Sequence, residues 1–178
     1  MFDLILRNVK EVIVKPLIEI MKTYKFSPNY LTTIGGVMGV VCSFLAYYKF
    51  TYLSFLFWWI NRLFDGIDGP YARATNQSSD FGGYYDIIID FTAYCFIPIG
   101  ITIGQHSEAL YITALFMMSI ILLNNIALFF LSGLIEKNKN ARENYKHKEM
   151  TTLKMPPSII EGFETMIFFS VFLLFPEY

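Results

Sequence analysis

Four aspartates in one short stretch are the residues of this chain best suited to chemistry. Asp65 and Asp68 are three residues apart and Asp86 and Asp90 are four apart, so on helices each pair projects from one face. The flanking segments are apolar enough to cross a bilayer, where each unpaired carboxylate costs about 2.5–3.5 kcal/mol and four cost about 10–14 kcal/mol. Two facing pairs would form an all-oxygen cage, which suits Mg²⁺, Mn²⁺ or Ca²⁺ better than zinc or copper. The spacing therefore predicts a divalent-metal site.

The composition is that of a membrane protein. Of the 178 residues, 54% are hydrophobic and only 16% are charged, whereas about a quarter are charged in soluble domains. The mean hydropathy is +0.44. A net charge of −1 argues against binding to nucleic acid, which needs a basic excess to neutralise phosphates. Cys42 and Cys95 lie in apolar runs, which predicts two small buried hydrophobic side chains rather than a disulfide. We predict one all-α, polytopic membrane domain.

Residues 1–26 predict an amphipathic helix that lies in the membrane interface, ahead of a membrane domain over residues 27–178. Apolar residues recur there at helical spacing, and five Lys or Arg residues are spread along the segment. A cleavable signal is not expected, because no long apolar core is present. The alternative is an ordinary helix that packs on the domain from the cytosol.

The rest of the chain predicts five membrane spans. The first begins after Ser27, and Gly35, Gly36 and Gly39 give it a small-residue face for close helix packing. The second becomes polar before it could cross a hydrocarbon core of about 30 Å, so its second half must face protein or water. The first span covers residues 31–48, the second begins at about 52 and is expected to loosen at Gly69-Pro70 ahead of a loop over 75–79, and the others cover about 81–104, 109–135 and 158–175.

Basic residues predict the orientation of the chain. With the amino terminus in the cytoplasm, five Lys or Arg residues in 1–26 and six in 136–154 fall on that side, together with Arg73. Lys49 alone falls on the opposite side. The positive-inside rule therefore predicts a cytoplasmic amino terminus, with the four aspartates toward the cytoplasmic face.

Residues 65–90 resemble the signature of the CDP-alcohol phosphotransferase (CDP-alcohol phosphatidyltransferase) family. They read Asp-x2-Asp-Gly-x2-Ala-Arg-x8-Gly-x3-Asp-x3-Asp and match all eight fixed positions. Average composition would produce this about once in 10¹⁰ starting points. Residues 27–32 also resemble the start of the family's first membrane helix. Members usually have six membrane helices and we count five here, so we expect either a C-terminal truncation or a missing sixth helix.

The resemblance implies a transferase of phospholipid synthesis. Such an enzyme cleaves the pyrophosphate of a CDP-alcohol, joins the substituted phosphoryl group to an acceptor hydroxyl and releases CMP. It implies two divalent ions, Mg²⁺ or Mn²⁺, held by Asp65, Asp68, Asp86 and Asp90, with Asp90 also acting as the general base. Two metal ions can stabilise both the attacking and the leaving oxygen, and a carboxylate can take the proton of the acceptor.

The resemblance also implies the binding partners of the site. The donor would be CDP-diacylglycerol, the acceptor a small polar alcohol such as glycerol 3-phosphate, and the enzyme a homodimer in the bilayer. The implied nucleotide-binding residues are Gly69, Arg73, Gly82, Asn29 and Thr32, and the candidate acceptor-binding residues are Glu161 and Glu164.

Other interpretations stay open. Each aspartate alone could cap a helix or pair with Arg62 or Arg73, Arg73 could be a positive-inside anchor, and the two glutamates could be ordinary interface residues. Within the family, the alternative is a CDP-choline or CDP-ethanolamine phosphotransferase that acts on diacylglycerol. Outside it, an ion-coupled transporter would draw on interrupted helices from internal repeats, and a prenyltransferase would carry two separate aspartate-rich motifs; the chain has one acidic motif.

Overall fold

The computed structural model describes residues 14–23, 26–137 and 162–177. Within these ranges the chain forms six helices and no strand, which confirms the all-α prediction. The first helix, α1, covers residues 14–22 of the described part. The others are α2 (Pro28–Tyr47), α3 (Thr51–Ala74), α4 (Asp80–Gln105), α5 (Glu108–Lys137) and α6 (Gly162–Leu174).

The helix ends follow local signals in the sequence. Ser27 is the N-cap of α2 and Pro28 lies in its first turn, a position where proline loses no helical hydrogen bond. Ser79 caps α4, because its Oγ accepts a hydrogen bond of 3.0 Å from the backbone N–H of Gly82. The turn between α2 and α3 passes through Lys49, which has a left-handed φ of 61°.

Helix α2 is the centre of the bundle, since it packs against both α3 and α4. Its predicted glycine face makes these contacts. A Cβ added to Gly35 would lie 3.2 Å from the Cβ of Phe64 on α3, and one added to Gly39 would lie 3.0 Å from the Cβ of Ala93 on α4. Small residues therefore let α3 and α4 each approach the backbone of α2 closely, and side chains of α3 and α4 meet beside it.

Three of the described helices are long and apolar enough to cross a membrane, namely α2, α4 and residues Glu108–Leu134 of α5. Helix α6 is apolar but shorter. Helix α3 is long enough, but Arg62, Asp65, Asp68 and Arg73 make its second half polar, as the sequence predicted for the second span. The protein is an integral membrane helical bundle.

A buried aromatic cluster ties α6 to the bundle. The rings of Trp58 on α3 and Phe169 on α6 stack with their centroids 5.2 Å apart, and Trp58 Nε1 donates to the carbonyl of Met166 at 3.3 Å. Cys42 is fully buried in this cluster, as predicted. The prediction was wrong for Cys95, which is exposed, because it lies on an outward face of α4 whose apolar residues suit the bilayer.

Helix α1 rests on α2 and α3. Its buried side chains, Val14 and Ile18, join Leu31, Ile67 and Tyr71 in a second apolar cluster. Apolar residues of α1 also remain on the surface, as Ile20 is 62% exposed. Residues 1–13, which include the first half of the predicted amphipathic segment, lie outside the described part of the chain.

Candidate active site

The structure brings the four aspartates together from two helices. Asp65 and Asp68 project from one face of α3, while Asp86 and Asp90 project from one face of α4. The carboxylate of Asp86 lies close enough to interact electrostatically with the other three, and that of Asp90 also interacts with Asp65. The two predicted pairs therefore form one cluster, named here the carboxylate cluster.

Asp68 is the most deeply buried member of the carboxylate cluster and is held by two donors. It is 2% exposed. Thr32 Oγ1 on α2 donates to its Oδ2 at 2.6 Å, and the backbone N–H of Gly69 donates to its Oδ1 at 2.6 Å. Hydrogen bonds of this kind to an ionised acceptor are among the strongest in proteins, so α2 fixes the orientation of this carboxylate.

Arg62 is a cation within the carboxylate cluster, and it lies on α3 one turn before Asp65. Its Nη2 donates to Asp90 Oδ1 at 2.6 Å, and its Nη1 lies 3.6 Å from Asp65 Oδ2. The Arg62 side chain is only 8% exposed. Two aspartates thus do pair with Arg62, as one alternative allowed, but they do so inside the cluster rather than apart from it.

The predicted nucleotide-binding residues flank the carboxylate cluster. A Cβ added to Gly82 would lie 3.3 Å from Asn29 Oδ1, so these two residues face each other across the starts of α2 and α4. A Cβ added to Gly69 would lie 3.4 Å from Arg73 Nη1, so the guanidinium folds back over that glycine. With Thr32 bonded to Asp68, all five residues lie at the same end of the bundle.

The predicted acceptor-binding residues are less fully located. Glu164 is half-buried in the first turn of α6, two residues before Met166, whose carbonyl accepts the bond from Trp58. Glu161 lies outside the described residues.

The chemistry of the donor set fits a hard divalent cation. Carboxylate oxygens are the ligands that Mg²⁺ and Mn²⁺ prefer, and mutually close carboxylates favour a cation between them. Within the described residues, no group of three His, Cys, Asp or Glu side chains is arranged so that it could coordinate a metal ion as it stands. The carboxylates instead repel one another electrostatically, a repulsion that a bound cation would relieve.

Comparison with known proteins identifies the chain. Residues 25–175 match the family described as CDP-alcohol phosphatidyltransferase. The chain belongs to this family. As a CDP-alcohol phosphatidyltransferase it is an enzyme of phospholipid synthesis that uses a CDP-alcohol donor and an alcohol acceptor in a membrane, which confirms the predicted reaction class. No solved structure shows a significant match.

Relatives of this phosphatidyltransferase come from all three domains of life. It is 29% identical to the inner membrane protein YnjF of Escherichia coli, over 93% of this chain and 80% of the relative. It is 32% identical to the archaetidylinositol phosphate synthase of Pyrococcus horikoshii, over 56% of this chain and 54% of the relative. It is 38% identical to cholinephosphotransferase 1 of Danio rerio, over 42% of this chain but only 22% of the relative.

Sequence reasoning missed the surroundings of Arg62. Asn61 Oδ1 accepts from Arg62 Nε at 2.8 Å, while Asn61 Nδ2 donates to the carbonyl of Gly35 at 2.8 Å. The hydroxyl of Tyr94 accepts from Arg62 Nη1 at 3.0 Å. The available signal was a polar Asn-Arg pair inside an apolar helix, since a charged residue at membrane depth marks a functional site by default.

Proposed function

We propose that this enzyme transfers the phosphatidyl group of CDP-diacylglycerol to the hydroxyl of a small polar alcohol, with glycerol 3-phosphate as the first candidate, and releases CMP. The observation that carries the proposal is the carboxylate cluster itself, formed where α3 and α4 meet beside α2. Two pairs of acidic side chains at membrane depth are costly unless they bind cations. A pyrophosphate donor requires that kind of site.

Asp65, Asp68, Asp86 and Asp90 are proposed to hold two divalent ions, Mg²⁺ or Mn²⁺. When bound, the ions supply charge neutralisation at the pyrophosphate and at the attacking and leaving oxygens. The hydrogen bonds of Asp68 to Thr32 and Gly69 support this role, because partners of a ligating carboxylate orient it for the metal.

The remaining steps fall to the side chains of the chain itself. Asp90 accepts the proton of the acceptor hydroxyl as a general base. Arg73 binds the nucleotide phosphates, for which a planar guanidinium is well suited. Gly69 and Gly82 leave room for the nucleotide beside the backbone. Asn29 and Thr32 are proposed as further nucleotide contacts.

A panel of candidate substrates, tested by CMP release, would identify the acceptor. Glycerol 3-phosphate is tested beside inositol phosphate and inositol, because one relative is named an archaetidylinositol phosphate synthase. CDP-choline with diacylglycerol is included because another relative is a cholinephosphotransferase. Glu161 and Glu164 are proposed to contact the acceptor, so Glu164→Gln should raise the KM for the acceptor and leave the KM for the donor unchanged.

We also propose that the amino terminus and the carboxylate cluster face the cytoplasm and that the enzyme is a homodimer. The sidedness rests on the distribution of Lys and Arg. Labelling of single cysteines introduced at Lys49 and at Asn76, in sealed inverted vesicles, tests it. We expect position 76 to react from the cytoplasmic side and position 49 from the other, and the reverse pattern would contradict the orientation. Chemical cross-linking in intact membranes tests the dimer.

The decisive experiment measures CMP release by the purified protein in detergent micelles with Mg²⁺ or Mn²⁺. Asp90→Asn should lower kcat by about 10²–10⁴-fold, the usual contribution of a general base. Asp80→Asn is the matched control, because Asp80 is an exposed residue at the start of the same helix and should keep full activity. Release that neither a chelator nor Asp90→Asn reduces would refute the mechanism, and no release from any donor would refute the proposed reaction.

A further inference from the structure

Arg62 is a buried charge that the proposed chemistry does not use. Its guanidinium contacts Asp90 and Asp65, yet it belongs to neither the metal-binding nor the nucleotide-binding residues. We infer that Arg62 is a positioning residue, an inference that rests on the proposed function. It holds the carboxylate of Asp90 in the orientation in which that carboxylate can accept the proton of the acceptor hydroxyl.

The guanidinium is fixed on its edges and on its faces. Three of its nitrogens each bond a different side chain, since Nε donates to Asn61, Nη1 to Tyr94 and Nη2 to Asp90. Its central carbon lies 4.7 Å from the ring centroid of Trp58 and 5.2 Å from that of Tyr94, within the range of cation–π attraction. A side chain held in this way has one available position.

The groups that hold Arg62 are themselves anchored. Asn61 donates to the backbone of α2 at Gly35, and Trp58 donates to the backbone of α6 at Met166. Tyr94 lies on α4, four residues after Asp90, and packs against Phe169 of α6 with the ring centroids 5.5 Å apart. Four helices therefore determine where the guanidinium lies, and through it the position of one oxygen of Asp90.

The bond to Oδ1 fixes the orientation of the Asp90 carboxylate and with it the position of Oδ2. Proton transfer needs the base within hydrogen-bond reach of the acceptor hydroxyl, and a small misplacement of a catalytic group lowers the rate strongly. Lysine is a poor replacement for Arg62, because an ammonium is a point charge without the planar fork that reaches three partners at once.

The first test compares Arg62→Lys with the wild type. We expect kcat to fall by about 10–100-fold, as is typical when a group that orients a catalytic ligand is lost. The KM for CDP-diacylglycerol should stay within about twofold, because the described hydrogen bonds and ring contacts of Arg62 are made to Asn61, Tyr94, Asp90 and Trp58, none of which is a proposed nucleotide-binding residue. An unchanged kcat, or a loss confined to KM, would overturn the inference.

The second test separates positioning from a general structural role. In the Asp90→Asn background, Arg62→Lys should have no further effect on the residual rate, since a residue that acts through Asp90 has nothing left to position. Equal losses in both backgrounds would show that Arg62 acts independently and would overturn the inference. The midpoint of thermal unfolding, with and without Mn²⁺, should show that Arg62→Lys still folds and still binds the ion.

Two further variants decide the matter if Arg62→Lys does not fold. Tyr94→Phe removes one acceptor of Arg62 but keeps the ring, and it should lower kcat with KM unchanged. Trp58→Leu removes the aromatic ring that packs on the Arg62 guanidinium and should also lower kcat with KM unchanged. Trp59→Leu changes a neighbouring residue that is 43% exposed and should leave kcat unchanged. If Tyr94→Phe and Trp58→Leu both keep the kcat of an active wild-type enzyme, the inference about Arg62 is overturned while the proposed function stands. An inactive wild type would instead refute the proposed function.

Discussion

Among the glycines of the described chain, Gly100 leaves the least room for a side chain where α4 packs against α2, and replacing it by alanine tests this packing. A Cβ at Gly100 would lie well inside the van der Waals contact distance from the Ser43 carbonyl oxygen. It would also lie 2.6 Å from Ser43 Oγ and 2.9 Å from the Ser43 carbonyl carbon. Because two of these three atoms belong to the backbone, no change of rotamer relieves the clash, and α4 must move away from α2.

The size of the effect follows from three terms. Overpacking costs about 1–3 kcal/mol. Movement of α4 also breaks the hydrogen bond of 2.5 Å from Ser43 Oγ to the carbonyl of Phe96, which costs about 0.5–1.5 kcal/mol. The alanine recovers about 0.5–1 kcal/mol because it restricts the unfolded chain. The free energy of unfolding should therefore fall by about 2 kcal/mol, which lowers the unfolding midpoint by about 4–8 °C in a chain of this size.

The assay is thermal unfolding of purified protein in detergent micelles, with Gly133→Ala as the control. A Cβ at Gly133 meets no atom of the described chain within 4 Å, so this alanine should raise the midpoint slightly. Gly36→Ala should lie between the two, because its Cβ meets only the side chain of Ile89, at 2.7 Å. Equal midpoints for the Gly100 and Gly133 variants would refute the close approach of α2 and α4.

Three further outcomes are expected. Thr32→Val removes a donor from the buried carboxylate of Asp68, so it should cost about 1–3 kcal/mol of stability and lower kcat, both measured against Thr32→Ser, which keeps the donor. Tyr71→Phe removes a buried hydroxyl that has no hydrogen-bond partner in the described structure. It should raise the free energy of unfolding by up to about 1 kcal/mol and with it the unfolding midpoint, and a lower midpoint would contradict this. Chelation of divalent ions should lower the midpoint of the wild type and leave that of Asp68→Asn almost unchanged; equal shifts in both would contradict metal binding by the carboxylate cluster.

The sequence predicted those features that depend on spacing within one helix. The pairing of Asp65 with Asp68 follows from helical periodicity, as does the glycine face of α2, and both are found. The bond from Arg62 to Asp90 joins residues 28 positions apart in the chain. It depends on how α3 and α4 are rotated against each other, which periodicity along either helix does not specify.

The error at Cys95 has a related cause. In a soluble protein an apolar run indicates the core, but in a membrane helix the outward face is apolar as well. Hydropathy therefore could not distinguish Cys42, which packs inside the bundle, from Cys95, which lies on its surface. Only the packing of α4 against α2 separates the two.

The bond from Trp58 to Met166 has a consequence for the biogenesis of the enzyme. Residues 28–105 supply α2, α3 and α4, which carry every member of the carboxylate cluster, and they leave the ribosome before α6 is made. Until α6 is inserted, the indole of Trp58 contacts neither the Met166 carbonyl nor the Phe169 ring. The ring that packs on the Arg62 guanidinium is therefore not yet held in place. The nascent chain thus contains all four aspartates early, but the position of Arg62 beside Asp90 is fixed only after the last described helix has been inserted.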